Sequence, residues 1–185
     1  MSVTGLISTV TKTPEQMAQI MATKHRWEPR GNTCHLALET MVNQRWNPNP
    51  PPPASLDGDY EPWIEPMLSS PLWDRITVIG SEVMAYSMAH NVAGTVDLVL
   101  QFDDGTYGIA DLKTQSSKSA KPYDTKPQLG AGVDMIGQHY KLLFSRCLTL
   151  WARPGSFEIQ THDAQECLDA WLDVLQQYKL RFRPW

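Results

Sequence analysis

Residues 76–114 carry the pattern that most constrains this chain, because β-branched and aromatic residues alternate there with polar ones. A period of two residues is typical of a strand that buries one face. Two turn signals interrupt the alternation, one at Asn91 and one at Asp103-Asp104-Gly105. The pattern therefore predicts a meander of three strands.

Two helices are predicted before this meander. The first begins at Thr13-Pro14-Glu15-Gln16, where a capping threonine precedes a proline and a capping-box glutamine. The second runs from about residue 32 to 45 and ends at NPNPPPP, since consecutive prolines cannot continue a helix. We expect an exposed Pro-rich loop over residues 47–58, followed by short helical turns at most between 60 and 72.

A helix and further strands are predicted after the meander. Residues 127–146 place apolar side chains at helical spacing, residues 147–152 form an apolar run typical of a buried strand, and residues 156–160 form a short strand. Asp163-x-x-Glu166 then caps a final helix. This order predicts one α/β domain over residues 1–185, with a central mixed sheet flanked by helices.

Composition narrows the class of protein. The chain has 185 residues, of which 42% are hydrophobic and 19% charged, which suits one domain with a core and offers no membrane span. Its net charge of −4 argues against nonspecific coating of nucleic acid. No secretion signal is visible, so a cytoplasmic protein is expected. Cys34, Cys147 and Cys167 lack C-x-x-C spacing and are expected to be reduced.

Asp111 and Lys113 are two residues apart on the third predicted strand, so both side chains leave the same face. If Asp103-Asp104-Gly105 forms a three-residue hairpin loop, residue 102 pairs with 106 and Asp97 lies opposite Asp111. A two-residue loop would shift this register by one. Opposed carboxylates lie within roughly 5 Å and repel, so one of them stays protonated near neutral pH unless a divalent cation is bound.

Lys113 gives this pair of acids a chemical context. A lysine beside two metal-binding carboxylates can orient or deprotonate an attacking water and stabilise charge that develops on a phosphate. The alternative is that the acids face solvent and that Lys113 is their surface salt-bridge partner, because D-x-K triplets are common by chance. The combination favours phosphodiester hydrolysis.

Short motifs in a fixed order extend the pattern between residues 30 and 129. They are RGNTCHLALE, GTVDL, ADLKT and Gln128-Leu129. Together they resemble the G-x-x-x-H-x-x-x-E, G-x-x-D, hydrophobic-D-x-K-T and Q-L motifs of the PD-(D/E)XK nuclease superfamily, in particular its RecB-like exonuclease branch. The resemblance implies a restriction-endonuclease-like core of the order αβββαβ, here with extra N- and C-terminal helices.

The resemblance also implies roles for individual residues. Lys113 would be the catalytic lysine, and Gln128 would hold a catalytic water or a substrate phosphate beside it. A Mg²⁺ or Mn²⁺ ion would be bound by two carboxylates, one main-chain carbonyl and one imidazole, which belong to Asp97, Asp111, Leu112 and His35. His35 suits Mn²⁺ best, and its alternative role is that of a core or capping histidine.

Two further acids and one departure from the pattern are left open. Glu39 either orients His35 or faces solvent, and Glu82 either adds a carboxylate or belongs to a packed strand face. Gly132 stands where the branch usually has tyrosine, and Tyr140 lies too far along the helix to replace it. The clustered cysteines of iron–sulfur members are absent, so those subfamilies are not expected.

DNA with a free end or a single-stranded region is the substrate that the resemblance implies. The favoured activity is an exonuclease in repair, recombination or phage DNA metabolism. The alternatives are a structure-specific or nicking endonuclease at the same site, or a nucleic-acid-binding protein that retains the fold without turnover. The loops around Trp46 and Trp63 and the basic segment 113–126 are expected to contact DNA. Trp27, Trp46, Trp63 and Trp73 fall in predicted loops or helix ends, where an aromatic ring either stacks on a single-stranded base or packs against the core. The basic side chains expected to do so are those of Arg30, Lys118, Lys121 and Lys126. The sequence predicts no oligomeric state.

Overall fold

A five-stranded sheet forms the centre of the computed structural model, which describes residues 1–182. The strands lie in chain order, and neighbours are antiparallel except for the third and fourth, which are parallel. The sheet is therefore mixed, as predicted. Its strands are β1 (Ile76–Ser87), β2 (Val92–Phe102), β3 (Tyr107–Thr114), β4 (Phe144–Arg153) and β5 (Ser156–Asp163).

Helices cover both faces of this sheet. They are α1 (Val3–Thr11), α2 (Pro14–Ala22), α3 (Lys24–Trp46), α4 (Glu61–Leu68), α5 (Lys126–Tyr140) and α6 (Ala164–Phe182), with short 3₁₀ turns at Gly58–Tyr60 and Pro71–Asp74. Residues 47–57 contain neither helix nor strand. Within residues 1–182, every helix is too short or too polar to cross a membrane.

Side chains that alternate along the strands form one hydrophobic core on each face of the sheet. Ile109 and Cys147 pack with α1, α5 and α6, whereas Ala110 and Leu148 pack with α3 and α4. Helix α5 makes the crossover between the parallel strands β3 and β4. The predicted order of helix, three strands, helix and strand is thereby confirmed. All three cysteines are free and buried.

The hairpin between β2 and β3 has the predicted three-residue loop. The Phe102 N–H donates to the Thr106 carbonyl at 2.9 Å, and Gly105 has a φ of +79°. The strands pair from Gln101 opposite Tyr107 to Leu98 opposite Ala110. This register, continued by one position, places Asp97 opposite Asp111.

Helix α1 was not predicted. Its sequence VTGLISTVT is rich in β-branched residues, which favour strands. The Ser2 hydroxyl nevertheless caps the helix by accepting from the Gly5 N–H at 3.1 Å, and Val3, Leu6 and Val10 are buried. In the sequence, this helix is indicated by the capping serine and by the helical spacing of the apolar residues at positions 3, 6 and 10.

Helix α3 begins earlier than predicted, at Lys24 instead of about residue 32. Pro29 lies inside the helix, where proline removes one backbone hydrogen-bond donor. Proline favours a helix boundary in a sequence-based prediction. The longer helix places Trp27 and Glu28 on the wall of the same cleft as His35, which the prediction did not anticipate.

Helix α5 ends at Tyr140, six residues before its predicted end, because Lys141 takes a left-handed conformation with a φ of +58°. Strand β4 accordingly starts at Phe144. Gly132 packs on the sheet: a Cβ atom there would lie 3.1 Å from Val96 Cγ2 and 3.2 Å from Ile109 Cδ1. That packing leaves no room for the tyrosine of the related motif.

A buried carboxylate joins α5 to its neighbours on this side of the sheet. Asp134 Oδ2 lies 3.1 Å from His90 Nδ1, in the turn between β1 and β2, and accepts from Trp171 Nε1 of α6 at 3.3 Å. Gln138 donates to the other carboxylate oxygen. Asp134 thus links a hairpin turn and two helices.

Candidate metal centre

A row of carboxylates crosses three neighbouring strands. The pairs Ser81–Leu98 and Val83–Val96 place Glu82 of β1 opposite Asp97 of β2. Since Asp97 in turn faces Asp111 across β2 and β3, the three acids are aligned across the sheet. The sequence had predicted the pairing of Asp97 with Asp111 and had left the position of Glu82 open.

The backbone at Glu82 is unusual for a residue with a side chain. Its φ of +49° lies in the left-handed region, which costs free energy for residues other than glycine. A register shift between Val78 and Gly80 also interrupts the pairing of β1 with β2 just before this residue. Bulges of this kind redirect side chains, and the Glu82 carboxylate is directed at α3.

His35 reaches the row of acids from α3. Its Nδ1 atom lies 3.6 Å from Glu82 Oε1 and 3.6 Å from Asp97 Oδ2. One ligand atom from each of these three residues lies within 4.8 Å of the other two. Three residues that are far apart in the chain therefore converge on one small volume.

Lys113 and Gln128 hold the Asp111 carboxylate. Lys113 Nζ lies 2.7 Å from Asp111 Oδ2 as an ion pair and donates to Gln128 Oε1 at 3.0 Å. The Gln128 amide donates in turn to Asp111 Oδ1 at 2.7 Å. Asp111 and Lys113, predicted from one motif, and Gln128, predicted from the next, thus form one contact network between β3 and the start of α5.

Burial and the neighbouring acid raise the pKa of Asp97 to about 7. Its side chain is only 11% exposed. The Leu112 N–H donates to Asp97 Oδ2 at 2.7 Å and opposes this shift without cancelling it. The sequence-based expectation that one acid of the pair holds a proton near neutral pH agrees with this result.

Burial lowers the pKa of His35, but the carboxylates of Glu82, Asp97 and Asp111 outweigh that effect and the net shift is upward. The same competition acts on Lys113. Burial lowers its pKa, and Asp111 as the main opposing charge raises it above the ordinary value. Lys113 therefore stays charged at neutral pH.

These residues fit a hard divalent cation. His35, Glu82 and Asp97 offer one imidazole nitrogen and two carboxylate oxygens, a donor set that Mn²⁺ accepts and that Mg²⁺ accepts through its oxygens. Asp111 Oδ2 is buried and forms no aligned hydrogen bond despite its ion pair with Lys113. A buried carboxylate oxygen in that condition is a ready metal ligand.

Glu39 and Leu112 are the two remaining residues that were predicted for the metal site. Glu39 follows His35 by one helical turn and lines a shallow depression with Gly80 and Ser81. The Leu112 N–H contacts Asp97, whereas a role for the Leu112 carbonyl stays a prediction.

The basic residues expected at a DNA surface divide into two groups. Lys118 and Lys121 are exposed on the segment between β3 and α5, and Lys126 is half-buried at the first position of α5. Arg30 is buried instead: its Nε donates to Thr114 Oγ1 at 3.2 Å, and its guanidinium stacks over Trp63. This placement differs from the expected surface contact.

A cleft of about 580 Å³ opens beside the cluster. It lies between α1, the start of α3, the end of β3 and the start of α5, and its wall includes His35, Lys113 and Gln128. Trp46 and Trp63 pack against the core, whereas Trp27 and Tyr123 line this cleft. Tyr123 belongs to the segment 113–126 that the sequence predicts to contact DNA, and Trp27 is one of the tryptophans for which stacking on bases is one of the two expected roles.

This chain resembles known proteins in its fold. No family model matches the chain, and no curated protein matches its sequence. Among solved structures, a protein of Eubacterium rectale provisionally named an exonuclease shares 14% identity and superposes with a TM-score of 0.54, over 97% of this chain and 80% of that one. The protein SSO0001 shares 13% identity with a TM-score of 0.50, over 95% and 75% of the two chains. The chain thus has an α/β fold like that of a protein named as a nuclease.

Proposed function

We propose that this protein is a metal-dependent deoxyribonuclease of the PD-(D/E)XK superfamily, related to its RecB-like exonuclease branch. The observation that carries the proposal is the convergence of Glu82, Asp97 and Asp111 with His35 and Lys113 at the edge of one cleft. A protein that only bound nucleic acid would gain nothing from mutually repelling buried acids.

A Mg²⁺ or Mn²⁺ ion would be held by His35, Glu82, Asp97 and Asp111. When bound, such an ion polarises the phosphate and lowers the pKa of a water molecule. The protein contributes the carboxylate row that neutralises the charge of the ion. It also contributes a sheet that fixes the spacing of those carboxylates.

Lys113 acts in this proposal as a cation and not as a base. The charges of Asp111 and Asp97 raise its pKa in the metal-free protein, and the ammonium, which lies 2.7 Å from Asp111 Oδ2, can stabilise negative charge on a phosphate. Gln128 is a positioning residue, since its amide bridges Lys113 and Asp111 through two hydrogen bonds. A substrate phosphate beside Lys113 would be bound where the cleft meets the acids.

The test is hydrolysis of end-labelled linear DNA and covalently closed circular DNA with Mg²⁺, Mn²⁺ or EDTA. We expect the linear DNA to be degraded only with metal, and Asp111→Asn and Lys113→Met to lower kcat on the order of 100-fold or more. Asp103→Asn and Lys179→Met, at exposed positions, are the matched controls.

Each pattern of cleavage has its own consequence. Degradation of linear DNA alone supports an exonuclease, and cleavage of the circle supports the alternative of an endonuclease on the same site. Hydrolysis that persists in EDTA, or in both site variants with unchanged melting temperatures, would show that the proposed centre is wrong.

A further inference from the structure

The cleft beside the acids points to the form of DNA that this protein binds. We propose that it takes the end of a single DNA strand, with the terminal bases against Trp27 and Tyr123 and the scissile phosphate beside Lys113. This inference rests on the proposed function and adds the strand state of the substrate and two residues that recognise it.

The size of the cleft favours one strand over two. Its volume of about 580 Å³ lies within the roughly 300–1,000 Å³ typical of sites that enclose one small ligand. That space suits a nucleotide or two. A base-paired end has to separate before one of its strands can enter.

The aromatic rings of Trp27 and Tyr123 line this cleft and are partly exposed to solvent. Trp27 is 38% exposed, and its indole is held in place because Nε1 donates to the Ile20 carbonyl at 3.1 Å. Tyr123 is 54% exposed and packs edge-on against Trp151, with 5.0 Å between ring centroids. Rings that are already fixed lose little entropy on stacking, and each stacked base raises the affinity roughly 5- to 150-fold.

The charges of the cleft argue for the same occupant. Lys12 and Lys113 are its lysines, and Glu28 and Asp124 oppose them, so the cleft carries no broad basic surface. A protein that follows a duplex backbone needs many cations along its phosphates. This cleft instead combines two cations with aromatic rings, which suits unpaired bases attached to few phosphates.

The cleft is also continuous with the proposed chemistry. His35, Lys113 and Gln128 belong both to its wall and to the network around Asp97 and Asp111. Tyr123 precedes α5 by three residues and Gln128 is the third residue of that helix, and both side chains line the cleft. A strand end bound against the rings therefore places a backbone phosphate at the acid row.

Binding can be measured without turnover in the Asp111→Asn protein, with fluorescein-labelled oligothymidine and a blunt duplex of mixed sequence as probes in fluorescence anisotropy. We expect the single strand to bind at least tenfold more tightly than the duplex. Two phosphate contacts predict a slope near −1.4 in a plot of log K against log salt, at about −0.7 for each phosphate on a single strand.

Substitutions in the cleft test the two rings. Trp27→Ala and Tyr123→Ala should each weaken binding of the single strand by about 5- to 150-fold, whereas Trp27→Phe and Tyr123→Phe should retain most of the affinity. Tyr140→Ala is the matched control, because Tyr140 is 56% exposed and lies outside the cleft. Equal affinities for duplex and single strand, or alanine variants that match the control, would overturn the inference.

A change in the DNA separates a lost contact from a damaged fold. An oligonucleotide whose terminal bases are replaced by abasic sites should bind the parent protein as weakly as the intact strand binds the doubly substituted Trp27→Ala, Tyr123→Ala protein. If abasic ends bind as tightly as intact ones, the rings do not recognise bases. Metal-dependent hydrolysis with unaltered binding refutes this inference alone, whereas ring-dependent binding without hydrolysis by the unsubstituted protein refutes the proposed function alone.

Discussion

Among single residues, Asp97 has the most direct consequence for metal binding, because a proton and a metal ion compete for its carboxylate. Its pKa of about 7 means that it holds a proton below neutral pH. Metal binding requires the ionised form. We therefore predict that Mn²⁺ affinity is highest above pH 7 and falls by at least about tenfold for each pH unit below it, as measured by isothermal titration calorimetry.

The same titration should report proton release. At pH 6 the binding heat should vary with the ionisation enthalpy of the buffer, and at pH 8 it should vary less. Asp97→Asn should bind Mn²⁺ weakly with a shallower dependence on pH. An affinity that is constant between pH 8 and 5.5 would contradict the role given to Asp97.

Asp97 also affects the stability of the metal-free protein. Its pKa is raised from 3.8 to about 7, so its favourable contribution is complete below pH 4 and is lost as the pH rises through 7. In EDTA at pH 8, Asp97→Asn should be more stable to urea than the unsubstituted protein. The difference should shrink at pH 5, and a difference that grows with acid would show that the shift has the opposite sign.

The residues of the site differ in how far the sequence could reveal them. The sequence predicts the pairing of Asp97 with Asp111 for a three-residue hairpin loop and leaves a two-residue loop open. The hydrogen bond from the Phe102 N–H to the Thr106 carbonyl decides for the three-residue loop. The role of Glu82 depends on a register shift and a left-handed φ, which no local pattern encodes. Trp27 reaches the cleft because α3 continues through Pro29, against the usual preference of proline.

At the scale of elements, the glycines of α5 set its distance from its neighbours. A Cβ atom at Gly130 would lie 1.9 Å from the Cys167 carbonyl oxygen of α6, which is backbone and cannot move aside alone. We predict that Gly130→Ala lowers the free energy of unfolding by at least about 1–3 kcal/mol, the usual cost of overpacking. Urea denaturation measures this change.

A graded series of helical glycines supplies the controls. Gly132→Ala should cost less than Gly130→Ala, since its neighbours are side-chain atoms at 3.1 Å or more. Gly31→Ala in α3 meets only Thr114 Oγ1 at 4.0 Å and should raise stability by about 0.5–1 kcal/mol through its higher helix propensity. Equal effects at the three positions would contradict the close approach of α5.

The elements that were predicted are those whose pattern is local. The meander was recognisable because three strands alternate between clear turn signals. The end of α5 was not, because apolar residues continue at helical spacing up to Leu143 and only the left-handed Lys141 stops the helix. Helix α1 was missed because its β-branched residues obscure a capped helix whose stability comes from packing against the sheet and α6.

At the scale of the whole molecule, Asp134 connects parts that the chain separates. Its substitution by alanine leaves the donors of His90, Trp171 and Gln138 without their acceptor. Gln138 is exposed and can turn to water, whereas Trp171 is buried and His90 half-buried. A buried polar group that loses its partner costs about 1–3 kcal/mol, so we predict a loss on the order of 3 kcal/mol in urea denaturation. Asp173→Ala, which removes only a surface hydrogen bond to Gln177, should change stability by less than about 0.5 kcal/mol.

The link through Asp134 also bears on how the molecule opens. Helix α5 holds Gln128 against Asp111 near its start and holds the β1–β2 turn through Asp134 farther along. Detachment of α5 would therefore release the hairpin that carries Glu82 and Asp97 together with the contact that orients Lys113. Amide hydrogen exchange should show α5 and this hairpin as one cooperative unit, so that the acid row is assembled completely or not at all.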